Sequence, residues 1–144
     1  MVLGNMLNQR GFSLIELMIA VVIVAILASI SYPAYQQYVL RTYRAEAIQL
    51  LLALANAQEQ HFADHAEYQA DISKLSGMAE LTSSGVTKSG RYTLSLNLTD
   101  AASGFTALAS ATGIQTADSE CLSFQLNHYG QRNSDNGVAL SCWQ

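Results

Sequence analysis

Between Leu17 and Leu40 the chain carries no Asp, Glu, Lys, Arg or His. Its leading part, Leu17 to about Ile30, is an almost unbroken run of Leu, Ile, Val, Ala and Met. Wound as an α-helix, these 24 residues extend about 36 Å, enough to cross a hydrocarbon core of roughly 30 Å. A more polar stretch precedes the run, and one carboxylate, Glu16, stands at its mouth. Beyond the run the helical period persists. Leu40, Tyr43, Ala47, Leu50, Leu51 and Leu54 recur at three- and four-residue steps, and Ile48, Leu52 and Ala55 widen the stripe. Gly is absent from Phe12 to Ser76. The pattern predicts one helix from Phe12 to about Asp64, membrane-spanning at first and amphipathic afterwards. At roughly 80 Å it is too long for a small domain to bury, so half is expected to protrude. Arg41, Arg44 and Glu46 are read as the point of emergence into water.

After the helix the periodicity changes. Tyr68 to Leu75 reads as a short helical turn closed by Ser76-Gly77, and Thr82 to Gly90, rich in Ser, Thr and Gly, as a surface loop. Tyr92, Leu94, Leu96 and Leu98 alternate with Thr93, Ser95 and Asn97, which predicts a half-buried strand. A turn at Asp100 to Gly104 leads to a second strand, Phe105 to Ala111. A third is expected over Cys121 to Asn127 with Leu122, Phe124 and Leu126 on one face, and a short fourth near Gln131 to Asn133. Val138 to Trp143 closes the chain. Short turns between sequential strands imply an antiparallel meander laid over the helix. The predicted class is therefore α+β: one long N-terminal helix packed on a roughly four-stranded antiparallel sheet.

Composition narrows this picture. With 144 residues, 50% hydrophobic and 12% charged, the chain has room for one domain and an anchor. About 80 residues outside the helix make a small core, so a staple is expected. Cys121 and Cys142 are the only cysteines, and an exported location makes them a disulfide candidate. The 22-residue loop they bound is expected to add about 3 kcal/mol in the chain-entropy description. A net charge of −4 and seven unclustered Lys and Arg residues argue against a nucleic-acid-binding surface. No Gly-rich phosphate loop, nucleophile elbow or His/Cys metal cluster is present, so neither catalysis nor a cofactor is expected. His61 and His65 stand four residues apart, but no third ligand is positioned with them. They are read as caps of a helix C-terminus, and no metal is expected.

The N-terminal stretch admits two readings. A secretory signal peptide would have a short apolar region of about 7–15 residues followed by cleavage after small residues, here Ala28 to Ser31. The run is too long for that, and its helical pattern continues past the site. The sharper reading is a leader, Met1 to Gly11, cut before the apolar run, which then remains as an anchor. Arg10 beside the span favours a cytoplasmic N-terminus. If the Gly11–Phe12 bond is cut, the new Phe12 amine lies one helical turn from Glu16. A carboxylate in a lipid-facing helix costs about 2.5–3.5 kcal/mol, so it is expected to have a partner. Pro33, the only proline, is expected to kink the helix, and Tyr32, Tyr35, Tyr38 and Tyr43 crowd round it as an interfacial belt would.

Gly11-Phe12-Ser13-Leu14-Ile15-Glu16-Leu17-Met18 resembles the processing and methylation site of type IV prepilins and pseudopilins. Arg44-Ala45-Glu46-Ala47, Ala57 to Phe62, Tyr68 to Asp71, Gly113 to Cys121 and the terminal Cys142-Trp143 resemble, in order, the PilE-type minor pilins. The resemblance implies the type IV pilin fold with a C-terminal disulfide-bounded loop. It implies cleavage between Gly11 and Phe12, N-methylation of Phe12, an assembly role for Glu16 against a neighbour's amine, and a bend at Pro33. It also implies a division into leader 1–11, transmembrane and filament-core helix 12–40, and periplasmic head 41–144. Within the head it distinguishes helix 41–64, loop 65–90, and sheet with disulfide region 91–144. Expected partners are major and minor pilins, the prepilin peptidase/N-methyltransferase, an inner-membrane assembly platform, a tip adhesin, and membrane lipid before assembly. The implied location is the inner membrane and the extracellular pilus. A minor pilin that helps initiate assembly is the leading expectation; a major pilin or a type II secretion pseudopilin remains open.

Overall fold

The computed structural model describes residues 12–78, 85–134 and 139–143. Gly11, the rest of the expected leader, part of the expected 82–90 loop and Val138 lie outside the described residues. The chain divides into two units, residues 1–36 and 37–144.

Helix α1 runs Leu14–His65 with Pro33 inside it. The Ser13 carbonyl accepts from the Glu16 and Leu17 amides at 3.1 and 3.2 Å, which closes the first turn. From residue 12 through residue 38 no side chain is buried. In the second unit α1 buries Leu40, Ala47, Leu51, Leu54 and Ala57, the three-and-four stripe seen in the sequence. Two polar residues, Arg44 and Gln58, share that stripe. The helix ends where Ala66 turns left-handed at φ 59° and its amide reaches the Phe62 carbonyl.

Four strands follow in sequential order, all antiparallel: β1 (Tyr92–Thr99), β2 (Gly104–Ala111), β3 (Ser123–Asn127) and β4 (Arg132–Ser134). Tyr92, Leu94, Phe105, Ala107, Ala109, Phe124 and Leu126 form one buried cluster with Ala47, Leu51, Leu54 and Ala57 of α1. The register pairs inward residues with inward residues, Leu94 with Ala109 and Ala109 with Phe124. The chain ends in a one-turn helix, α2 (Ala139–Cys142). Between β1 and β2, Ala101 and Ala102 are left-handed at φ 53° and 69°, a conformation costing about 1–2 kcal/mol per residue for a side chain with a Cβ. The turn is held from outside, since the Ala102 carbonyl accepts from the Tyr68 amide at 2.9 Å.

Some expectations shift. Of the turn expected at Tyr68 to Leu75, only Ile72–Lys74 closes, as a 3-10 turn capped by the Asp71 carboxylate on the Ser73 amide. The third strand begins at Ser123, and Leu122 is exposed. The disulfide turns Cys121 inward, so alternation falls out of step between Cys121 and Phe124 and only the latter keeps the strand's phase.

Candidate functional site

The first candidate region is the exposed face of α1. Leu14, Ile15, Leu17, Met18, Ile19, Val21, Val22 and the large apolar side chains that follow to Ile30 all stand more than half exposed. So large a contiguous apolar surface requires cover from lipid or protein. By length and composition α1 is the one helix among the described residues able to cross a membrane. Phe12, 83% exposed, precedes it, and Glu16 occupies the first turn. There a carboxylate meets the partial positive charge of the helix N-terminus. Tyr32, Tyr35 and Tyr38 follow as exposed rings, and the Gln36 amide donates to the Tyr32 hydroxyl at 3.0 Å. Tyr43 does not join them: it is half-buried in the head, with the Arg91 guanidinium 3.6 Å above its ring.

The second region fastens the disulfide-closed segment to α1. Arg44, expected at the water boundary, is instead buried at 8% exposure. Its Nε and Nη2 donate to Asp118 Oδ2 and Oδ1, each at 2.6 Å, and Nη2 also reaches Glu120 Oε2 at 2.9 Å. Buried Gln115 donates to the Leu40 carbonyl at 3.1 Å and to Asp118 at 3.3 Å. The hydrogen bond from Arg44 to Asp118 holds the guanidinium above its ordinary range, so it stays charged. Beside this network burial pushes the Tyr92 phenol up, which keeps it neutral inside the core. The cause of Arg44's burial lies in spacing. Position 44 falls between Leu40 and Ala47 on the buried stripe, and a guanidinium there needs a carboxylate brought from elsewhere.

Cys121 and Cys142 are joined, with Cα atoms 5.8 Å apart. The bounded segment is not a free loop: it contains β3, β4 and α2. The Trp143 indole donates to the Asn133 carbonyl at 3.0 Å and stands edge-on to Phe124, with the Arg132 guanidinium 5.3 Å from the ring. Replacing both cysteines by Ser is expected to cost about 3 kcal/mol, read as a lower denaturation midpoint that reduction of the unsubstituted chain reproduces. Unchanged midpoints would show that packing alone carries this end of the chain.

The expected site residues are thus brought together only in part. Cys121 meets Cys142, whereas Phe12 sits exposed just before α1, Glu16 is exposed in its first turn and Pro33 lies within it. The Arg44–Asp118–Glu120 network is not among the residues expected from the sequence, where its one signal is a cation on an apolar stripe.

Two family models match the chain. Residues 33–125 match one described as "Type IV minor pilin ComP, DNA uptake sequence receptor", and residues 6–32 match the prokaryotic N-terminal methylation motif. The fimbrial protein EcpC of Eikenella corrodens is 36% identical over 108 residues, covering 74% of this chain and 66% of that protein. A type IV major pilin protein PilE of Neisseria gonorrhoeae is 43% identical over 63 residues, covering 44% and 38%. The chain therefore spans less than two thirds of the length of either relative. A type IV pilin structure from Shewanella oneidensis superposes with a TM-score of 0.54 at 28% identity, covering 73% of this chain and 98% of that one. A long apolar helix, a four-stranded antiparallel sheet, a C-terminal disulfide and both matches agree, and the chain belongs to the type IV pilin family of structural filament subunits.

Proposed function

We propose that this chain is a minor pilin, cleaved between Gly11 and Phe12, methylated on Phe12, and inserted into a type IV pilus whose assembly it helps to initiate. The observation that carries the reading is the uncovered apolar face of α1, opened by Phe12 and Glu16 under a methylation motif. Such a surface is stable in lipid before assembly and against neighbouring subunits afterwards. In this reading residues 1–11 are the leader, 12–40 the membrane and filament-core segment, and 41–144 the periplasmic head. Pro33 supplies the point where the helix bends or locally unwinds on assembly. Prepilin peptidase, an assembly platform, major pilin and a tip adhesin are its partners. The minor assignment is supported by the match of residues 33–125 to a minor-pilin family.

That family's description also names a DNA uptake sequence receptor. Charge argues against carrying this property over. The net charge is −4, Arg44 is committed to two carboxylates, and Arg91 and Arg132 lie over Tyr43 and Trp143. We infer no nucleic-acid partner, and salt-dependent binding of duplex DNA by the full chain would reverse that inference.

Intact mass and N-terminal peptide mapping of the protein from native membranes or sheared filaments test the main reading. The expected chain starts at Phe12, heavier by one methyl and lighter by two hydrogens, and is scarce among filament subunits. Major-subunit abundance would move it to the major pilins. A chain starting near Ser31, or one retaining Met1, ends the reading.

A further inference from the structure

The turn that joins β3 to β4 is built around one side chain. Asn127 Oδ1 accepts from the Tyr129 and Gln131 amides at 3.1 and 2.9 Å, and its Nδ2 donates to Gln131 Oε1 at 2.7 Å. Gly130 supplies the left-handed residue at φ 73°, and its amide reaches the Asn127 carbonyl at 2.9 Å. The turn holds Tyr129 outward, 76% exposed, with its ring centroid 3.9 Å from that of His128. An aromatic ring presented in this way offers a large contact area at little cost in side-chain entropy.

Two cavities meet at this turn. The first, about 340 Å³, lies between α1 and the turn, lined by Leu52 and Leu126 and by Asn56, Glu59, Tyr129 and Arg132. Glu59 Oε1 accepts from the Tyr68 hydroxyl at 3.0 Å, which orients the carboxylate and leaves Oε2 to accept a further bond. The second, about 360 Å³, opens on the outer face of the sheet, where the register sets Thr106 beside Asn127 and Gln125 beside Asn133. Asn127 and Arg132 line both cavities, so the two adjoin.

The lining selects the chemistry of a ligand. Side-chain amides and hydroxyls donate and accept together, as the hydroxyl groups of a sugar do. One carboxylate and one guanidinium offset each other, so the site favours neither anion nor cation. The second cavity has no large apolar side chain to receive one from a peptide. A pyranose carries hydroxyls at its rim and C–H bonds on its face, and the exposed Tyr129 ring suits that face. We propose that the two cavities form one binding site for a neutral oligosaccharide. One pyranose ring lies on Tyr129 and the next lies among the amides of the sheet.

Galactosides of cell surfaces and N-acetylglucosamine units of cell walls share this chemistry, so lactose and N,N′-diacetylchitobiose are the probes. The test titrates each into the full 15N-labelled chain in micelles of a detergent that is not a glycoside. At least one sugar is expected to shift the Tyr129 backbone amide and the Gln125, Asn127, Gln131 and Asn133 side-chain amides together and saturably. Which sugar does so separates the two sources. Tyr129→Ala is expected to weaken that binding about tenfold and Tyr129→Phe to leave it unchanged. An unaltered denaturation midpoint, read by Trp143 fluorescence, separates lost binding from lost fold. No saturable shift with either sugar, shifts scattered over the head, or equal binding by a folded Tyr129→Ala chain overturns the proposal. Tighter binding of sialyllactose than of lactose overturns it as well, because the site would then select an anion.

Discussion

A Glu16→Ala chain reaches the membrane and folds its head, yet is expected to enter filaments about a hundredfold less than the unsubstituted chain. Removing the carboxylate eases insertion, because a charge within a span costs about 2.5–3.5 kcal/mol. In the proposed reading, what is lost is the partner of the Phe12 amine that cleavage would release. Deleting one member of a pair buried among packed helices costs roughly 3–5 kcal/mol, since the other charge is left uncompensated, and 1.4 kcal/mol corresponds to a factor of ten. Glu16→Gln, which keeps the shape without the charge, is expected to fail as badly. The measurement is the ratio of variant in sheared filaments to variant in membranes. A ratio equal to that of the unsubstituted chain would leave Glu16 no role beyond the helix terminus, and the anchor would belong to an ordinary membrane-tethered domain.

Asp118→Ala is expected to destabilise the head by about 3 kcal/mol, a large share of the 5–15 kcal/mol typical of a domain. Arg44 is buried with two donors on Asp118, so truncation leaves a largely desolvated guanidinium short of its main partner. The cost falls toward the lower end of the range for broken buried pairs because Glu120 remains 2.9 Å from Nη2. Replacing both partners, Arg44→Met with Asp118→Leu, is expected to recover most of the loss, because no unpaired charge then remains. Denaturant titration followed by Trp143 fluorescence reads both variants. A single variant within about 0.5 kcal/mol of the parent, the range of an ordinary surface change, would show that the pair is incidental. The predicted effect also has a structural meaning. The pair and Gln115 join α1 to the turn just before Cys121, so the disulfide-closed segment is anchored to α1 at its base as well as closed at its ends.

The long helix was legible because its evidence is local and repetitive. Twenty-four uncharged positions, then a stripe at three- and four-residue steps, admit one element and place its buried face. Strands β1 and β2 were legible for the same reason, through alternation of period two. Phe12 and Glu16 stand out because a carboxylate at the edge of an apolar run violates the surrounding pattern. The third strand was read two residues too long at its start, since Leu122 continues the apparent alternation and only the disulfide shows where the phase breaks.

The sequence by itself determined the α+β class, the order of elements, the long apolar helix and the pairing of the only two cysteines, because each follows from neighbours in the chain or from a count. Tertiary structure decided the rest. Arg44 and Asp118 are 74 residues apart, and nothing in either neighbourhood announces the other. The same holds for Arg91 above Tyr43. Even the two histidines, four residues apart, find their Nδ1 partners only where carbonyls of the helix end and the following loop come within reach. Periodicity reports which face of an element is apolar. Which distant group satisfies a buried charge depends on how the chain folds back on itself, and local pattern carries no record of that.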